Sequence, residues 1–327
     1  MNVLVTGANG YIGRGLVERL CSLAALPDGA PIERITLADL AFDTPPADPR
    51  VHLVRGSIAE PAVLDAATAA APDVVFHLAA VPSGMAETEF ERGLAANLHG
   101  MLGLLERLRA QARRPTLVFT SSIAVFGAPL PAAIDDDTVL QPALSYGAQK
   151  QVGEILLADY TRRGWLHGRA VRLPGIVMRP PAPNGALSIF SSDLIRQLAL
   201  GESYVCPVSS SATLWLMSLE RAVDNLLHAA TLAAQPDGRT AWTLPALHVS
   251  ISQVVDALAS LFGADVAQRI TYQPDAGLEA QFGRLPPLST RAADAAGFRH
   301  DGDLASLLQR ATASLSSGSA RAAAAAG

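Results

Sequence analysis

The chain holds 25 lysine and arginine residues, and only one of them, Lys150, is a lysine. It lies four positions after a tyrosine in SYGAQK, residues 145–150. On a helix, positions i and i+4 share a face, so Tyr146 and Lys150 project together. A phenol with its ordinary pKa near ~10 is a poor base at neutral pH. An adjacent ammonium stabilises the phenolate and brings that pKa towards a useful range. Lysine is also a compact donor that can reach sugar hydroxyls, whereas arginine's planar fork fits that task badly and cannot relay a proton. A hydroxyl partner is at hand in TLVFTSSIAVFG, 116–127. If its strand ends near Ser121 and Ser122, it delivers them to the carboxyl edge of a sheet, where one can hydrogen-bond a substrate oxygen as charge develops.

A second constellation opens the chain. VLVTGANGYIGRGL carries Gly7, Gly10 and Gly13 between an apolar run and a helical pattern. Glycines there allow a tight turn and let backbone N–H groups approach a diphosphate at a helix N-terminus. Asn9, Tyr11 and Ile12 lie on the same turn and belong to the expected cofactor site. The next apolar run, ITLADL, ends at Asp39. A carboxylate there accepts hydrogen bonds from the adenosine ribose and repels a 2′-phosphate, which favours NAD over NADP. The 26 positions from Gly13 to Asp39 exceed the usual ~20, and the loop LPDGAPIE absorbs the difference. Arg14 is the one feature that pulls the other way.

These residues need a frame. Apolar runs at 3–6, 34–38, 52–55, 73–78, 116–121 and 169–173 read as strands. Helical patterns cover roughly 11–25, 60–70, 87–111 and 144–163. Several strand runs are apolar throughout, as strands covered on both faces must be. The alternation predicts an α/β fold with a doubly wound parallel sheet of the Rossmann type. Residues 1–175 form the dinucleotide-binding domain, with 213–247 packing back on it. Residues 176–212, with a helix at 188–201, and 248–313 leave a smaller C-terminal substrate cap around the sheet's edge, while a further helix at 219–234 falls in the part that packs back. The Ala/Ser-rich 314–327 reads as an unstructured tail.

Composition supports a large core: half of the 327 residues are hydrophobic and 17% are charged. A net charge of −5 with no basic stripe argues against nucleic acid. No apolar run approaches the ~18 residues of a membrane span, and MNVLVTG is no signal peptide, so a cytoplasmic protein is expected. Cys21 and Cys206 suit two buried small side chains better than a disulfide or metal framework, and no metal is expected.

Together the motifs resemble the extended short-chain dehydrogenase/reductase family, the NAD-dependent epimerase/dehydratases. TGANGYIG is similar to its TGxxGxxG loop, HLAA (77–80) to its fourth-strand motif, SSIAVFG to SSxxVYG, and YGAQK to YxxxK. The resemblance runs from Met1 to about Arg179, with a weaker echo in LSTRAADAAGF. It implies an NAD enzyme in which Tyr146 is the acid/base, Lys150 orients the ribose and Ser122 is the catalytic serine. It further implies cofactor contacts from Leu78, Ala79 and Ala80 after the fourth strand, from Ser57 and Ile58 after the third, and from Pro174 and Ile176 after the sixth. Asn97 matches a helix asparagine frequent in the family, which counts it among the cofactor contacts, and it can equally be structural. His77 reads as a packed residue.

Two departures matter. Gly56-Ser57 stands where the family usually has Gly-Asp, so adenine contacts are altered. In RLPGIVMRP, Gly175 stands where sugar-nucleotide epimerases carry an asparagine that contacts the diphosphate. HLAAVPSGM, DDDTVLQPALSYGAQK, LLADYTRRG and WLMSLERAVDNLLHA are similar to a branch that oxidises a four-carbon sugar acid, D-erythronate, with NAD. That branch implies oxidation at the C2 hydroxyl and a homodimer built on helices 87–111 and 144–163. Ser83, Arg179, Asn184 and Ser188, beside Ser122 and Tyr146, are the candidates for holding such a substrate, with Trp215 either a pocket wall or core. The competing readings are a nucleotide-sugar epimerase or dehydratase with retained NAD, and a nicotinamide-sensing binding protein.

Overall fold

The computed structural model describes residues 1–127, 129–181 and 189–325. Its first half alternates strand and helix: β1 (Asn2–Thr6), α1 (Tyr11–Ser22), β2 (Arg34–Asp39), β3 (Val51–Arg55), α2 (Pro61–Thr68) and β4 (Val74–His77). Two short helices follow, α3 (Ser83–Thr88) and α4 (Phe90–Gly93), then a π-helical turn, Leu94–His99, and α5 (Gly100–Arg109). Next come β5 (Thr116–Ser122), a 3-10 turn (Ile123–Val125), α6 (Ser145–Arg162), β6 (His167–Leu173) and β7 (Gly175–Ile176). The remainder is α7 (Phe190–Ala199), β8 (Tyr204–Cys206), β9 (Thr213–Met217), α8 (Leu219–Thr231), β10 (Ala241–Thr243) and β11 (Leu247–Ser250). It ends in α9 (Ile251–Phe262), β12 (Ile270–Tyr272), α10 (Ala276–Phe282), α11 (Arg291–Ala295) and α12 (Leu304–Ala325).

Seven strands make one sheet in the order β3-β2-β1-β4-β5-β6-β10, and every neighbouring pair is parallel. The strand order reverses between β1 and β4, so the carboxyl ends of β1 and β4 diverge there into a crevice, the usual ligand position in such sheets. Strands β1, β4 and β5 are buried through their centres because helices cover both faces. One face packs Leu16 and Leu20 of α1 with Leu226 of α8, the other Met101, Leu104 and Leu108 of α5 with Leu157 of α6. A second core, holding Phe190, Leu194, Leu214 and Leu258, lies under a three-stranded sheet ordered β11-β9-β7. Strand β9 serves both: Met217 belongs to the first core and Leu214 to the second.

Three sequence expectations need correction. The single helix expected over 87–111 is broken into α3, α4, a π turn and α5. Asn97 sits in that turn with its side chain bonded to the Val81 backbone and to Gln149, and a π turn accommodates the extra residue this requires. The backbone from 314 is helical as far as Ala325 instead of unstructured, in keeping with alanine's leading helix propensity. Cys206 is buried in the cap, but Cys21 is only half-buried. Among the described residues no helix is long and apolar enough to cross a membrane.

Candidate active site

The glycine loop is made by backbone meeting backbone. Gly7 takes φ +71°, and a Cβ on it would stand 2.5 Å from the Ala79 nitrogen. A Cβ on Gly13 would stand 2.1 Å from the Gly7 carbonyl oxygen. The loop thus lies directly on the HLAA segment, with Leu78 donating to the Thr6 carbonyl at 3.0 Å. Gly10 caps α1 without a side-chain bond, and the first turn carries no acidic residue. Its free N–H groups therefore suit an anion, as a dinucleotide diphosphate requires.

Asp39, at the end of β2, accepts the amide of Asn9 at 2.8 Å and that of Leu40 at 2.7 Å. Both bonds orient its carboxylate at the lip of the glycine loop while leaving lone pairs for ribose hydroxyls. Arg14 is exposed on α1. Arg55, across β2–β3 from Asp39, is a basic residue at this edge that the sequence reading missed; it lies over the Phe42 ring. The hydroxyl of Ser57 accepts the Ala59 amide at 3.2 Å. The side chains of Ile58 and Ile176 are taken up by the cores, and those of Leu78, Ala79 and Ile12 are only partly buried. Asn97 spends its amide on the loop after β4, so it shapes that loop. The Tyr11 hydroxyl reaches across to the Val177 carbonyl at 2.7 Å, and burial pushes it up to about 12 against Arg179 and Arg196.

Helix α6 brings the other constellation to β5. Gly147 lies so close to the 3-10 turn that a Cβ would meet the Ala124 carbonyl oxygen at 2.1 Å. Gly153 lies against the Phe119 ring in the same way. With no side chains in between, Tyr146 bonds Ser122, and Lys150 donates to the Thr120 carbonyl at 2.7 Å. The Lys150 ammonium also lies 5.4 Å from the centre of the Tyr146 ring and 4.7 Å from that of Phe119. Lys150 is 2% exposed, and burial brings it down to about 7, with Glu154 opposing. Burial raises Tyr146, while Arg179 and the Ser122 bond pull it down. Arg179, which sequence reasoning offered only as a substrate contact, is thus a charge that pulls the phenol down. His77 is packed as expected: its Nδ1 meets Thr6 Oγ1 at 2.7 Å, its ring stacks on Phe119, and burial followed by Lys150 brings it down to about 3.

These groups open into a cavity of about 650 Å³ between the sheet and the cap. Ser83, Ser122, Tyr146, Pro174 and Arg179 all line it. Asn184 and Ser188 lie outside the described residues. Arg179 is held by its backbone: its amide donates to Ser192 Oγ at 3.2 Å, and its carbonyl accepts Arg196. The residue before it, Met178, takes φ +65°, a strained value for a side chain of that size. Among the described residues no carboxylate pairs with Arg179. Trp215 is both core and wall: it is 1% exposed, donates to the Pro286 carbonyl at 2.7 Å, and still borders the cavity beside Phe126.

Sequence reasoning missed Gln281, Phe282 and Arg284, which close the cavity from α10 and its end. Nothing in their sequence spacing ties them to residues over a hundred positions earlier. It also passed over Glu154, which was within reach, being four residues past Lys150 on the same helix.

The profile described as the NAD dependent epimerase/dehydratase family matches residues 3–234. A D-erythronate dehydrogenase of Cupriavidus necator is 42% identical over 306 residues, covering 92% of this chain and 94% of its own. A D-erythronate dehydrogenase of Haemophilus influenzae is 33% identical, over 95% of this chain and 98% of its own. A crystal structure titled as a nucleoside-diphosphate-sugar epimerase from Agrobacterium tumefaciens superposes with a TM-score of 0.88 at 34% identity, covering 94% of this chain and 92% of that one.

Proposed function

The chain belongs to the NAD dependent epimerase/dehydratase family, an enzyme family whose cofactor is NAD, and we propose that it oxidises the C2 hydroxyl of a small free sugar acid, D-erythronate. The observation that carries this reading is Arg179, a cavity-lining guanidinium beside Tyr146 with no carboxylate partner among the described residues. A guanidinium so placed suits the carboxylate of a sugar acid, which it can grip through two parallel hydrogen bonds. With the carboxylate there, the adjacent C2 hydroxyl lies towards Tyr146. The two near-full-length relatives named for D-erythronate support that substrate.

Bound NAD supplies the acceptor for the hydride that leaves C2. Gly7, Gly10 and Gly13 and the first turn of α1 hold its diphosphate, Asp39 the adenosine ribose and Lys150 the nicotinamide ribose. Tyr146, as phenolate, takes the proton of the C2 hydroxyl as the carbonyl forms. Ser122 gives its one hydroxyl proton to that oxygen as charge develops, so that serine and tyrosine act on the same atom. Arg179 holds the carboxylate and favours the phenolate by its charge. The apolar wall of Phe126, Trp215 and Phe282 keeps water from the reacting carbon.

The second reading, an epimerase acting on a nucleotide sugar, is favoured by the superposed structure, which is that of a nucleoside-diphosphate-sugar epimerase. Against it stands Gly175: a Cβ there would meet the Trp215 carbonyl oxygen at 2.9 Å, so no asparagine can take its place without moving β9. Homodimerisation through α5 and α6 belongs to the same reading, supported by exposed Leu102, Val152 and Ile155 on those helices; sedimentation reads it directly. The test of function is purified protein with NAD and a panel of erythronate, threonate and hexuronates, followed by NADH absorbance. Net NADH with the four-carbon acid is expected. No NADH from any sugar acid, with turnover of UDP- or dTDP-sugars, overturns the proposal.

A further inference from the structure

A buried charge pair lies beneath the catalytic groups, and the mechanism above does not use it. Glu154, on α6, is 6% exposed and is gripped by Arg172 of β6, with Nε to Oε1 at 3.0 Å and Nη2 to Oε2 at 2.7 Å. Arg172 turns its other nitrogen, Nη1, to Thr243 Oγ1 at 3.3 Å. Ser121 donates to Glu154 Oε1 at 2.5 Å. Ser121 stands between Thr120, whose carbonyl holds Lys150, and Ser122, which bonds Tyr146. A buried ion pair seldom adds stability over apolar residues of the same volume. This one is joined instead to the single turn of strand from which the catalytic groups hang.

Resting on the catalytic roles given above, we propose that Glu154 is a positioning residue: with Arg172 it clamps Ser121, fixing the end of β5 that presents Thr120 and Ser122, and it lends its negative charge to Lys150. Among the described residues, the groups around Lys150 leave Glu154 as the one counter-charge. On α6 the others are Tyr146 and Glu154 itself; β4 contributes His77, which is neutral; β6 contributes Arg172, already engaged. Burial lowers Lys150, and Glu154 is what opposes it.

Because Lys150 is the only lysine, protein grown on lysine carrying 13C at Cε has one lysine resonance, and its midpoint can be titrated without substrate or cofactor. Wild type is expected to titrate near pH 7. Glu154→Gln should move that midpoint down by about one unit. With D-erythronate and NAD its kcat should fall about tenfold, with KM values little changed and the alkaline limb of kcat at lower pH. Since Glu154→Gln strands a buried arginine, the double variant Glu154→Gln/Arg172→Gln, which removes both charges, is read beside it and should show a smaller lysine shift in the same direction. Ser121→Ala leaves the pair intact and should lower kcat at constant KM. An unmoved lysine midpoint in the folded variants overturns the electrostatic part, and wild-type kcat in Ser121→Ala overturns the clamp. Tyr146→Phe is the control: if it stays active, the catalytic reading has failed, while the lysine titration still judges Glu154.

Discussion

On the nucleotide side of the cleft, from Gly7 and Gly13 across to Ala79, the contacts are between main chains that touch because no Cβ intervenes. On the substrate side, Lys150 and Arg179 are partly or fully buried charges, each serving a neighbour's chemistry and neither closed off by a carboxylate salt bridge among the described residues. The first arrangement fails when an atom is added. The second fails when a charge is removed, and it costs the fold stability while it is present.

The largest effect should come from adding one carbon. Gly13→Ala drives a methyl into the Gly7 carbonyl and should weaken NAD binding about a thousandfold, a penalty of ~4 kcal/mol. Calorimetry with NAD reads it, and affinity near wild type would mean that the loop is not built as described.

Removing the buried ammonium should do the reverse for stability. The Lys150 pKa drops from its ordinary 10.5 to about 7 on folding. At pH below 7 both folded and unfolded chains carry the proton, and the buried charge then costs the fold most. As pH rises from 7 to 10.5 the folded chain releases its proton first, so that cost disappears. Lys150→Met should therefore stabilise the protein by about 4 kcal/mol at pH 6, after allowing ~1 kcal/mol for the lost bond to Thr120. The gain should vanish near pH 10.5, and the variant should be inactive throughout. Thermal unfolding across pH checks this, and a variant less stable at every pH would refute it.

Arg179→Gln is the smallest of the three. It should raise the KM for the sugar acid about thirtyfold, ~2 kcal/mol, and lift the acid limb of the pH profile, because the phenol loses the charge that lowers it. A KM unchanged by this substitution would place the carboxylate elsewhere.

The same contrast explains what could be read before the structure. The glycine loop, Asp39 and the Tyr146–Lys150 pair are local: each is fixed by spacing along one turn or one helix, and all were legible. Six strands of the large sheet were legible as apolar runs, but not the seventh, β10, whose three residues join β6 from about seventy positions away. Arg179 was visible as a candidate, yet its closeness to Tyr146 and Tyr11 depends on the strained Met178 and on α7. Gln281 and Arg284 were invisible, because they reach the cavity only through the pairing of residues near 213 and 284. Asn97 was legible as an asparagine of interest, and only the fold shows that it ties the loop after β4 to Gln149.

The central claim is that a hydride leaves C2 of a free sugar acid. It is tested most directly with D-erythronate deuterated at C2, turned over with NAD and analysed by mass spectrometry of the reduced cofactor. Deuterium in the NADH, in proportion to the NADH formed, is the predicted result. NADH formed without the label would place the oxidation at another carbon and contradict the account.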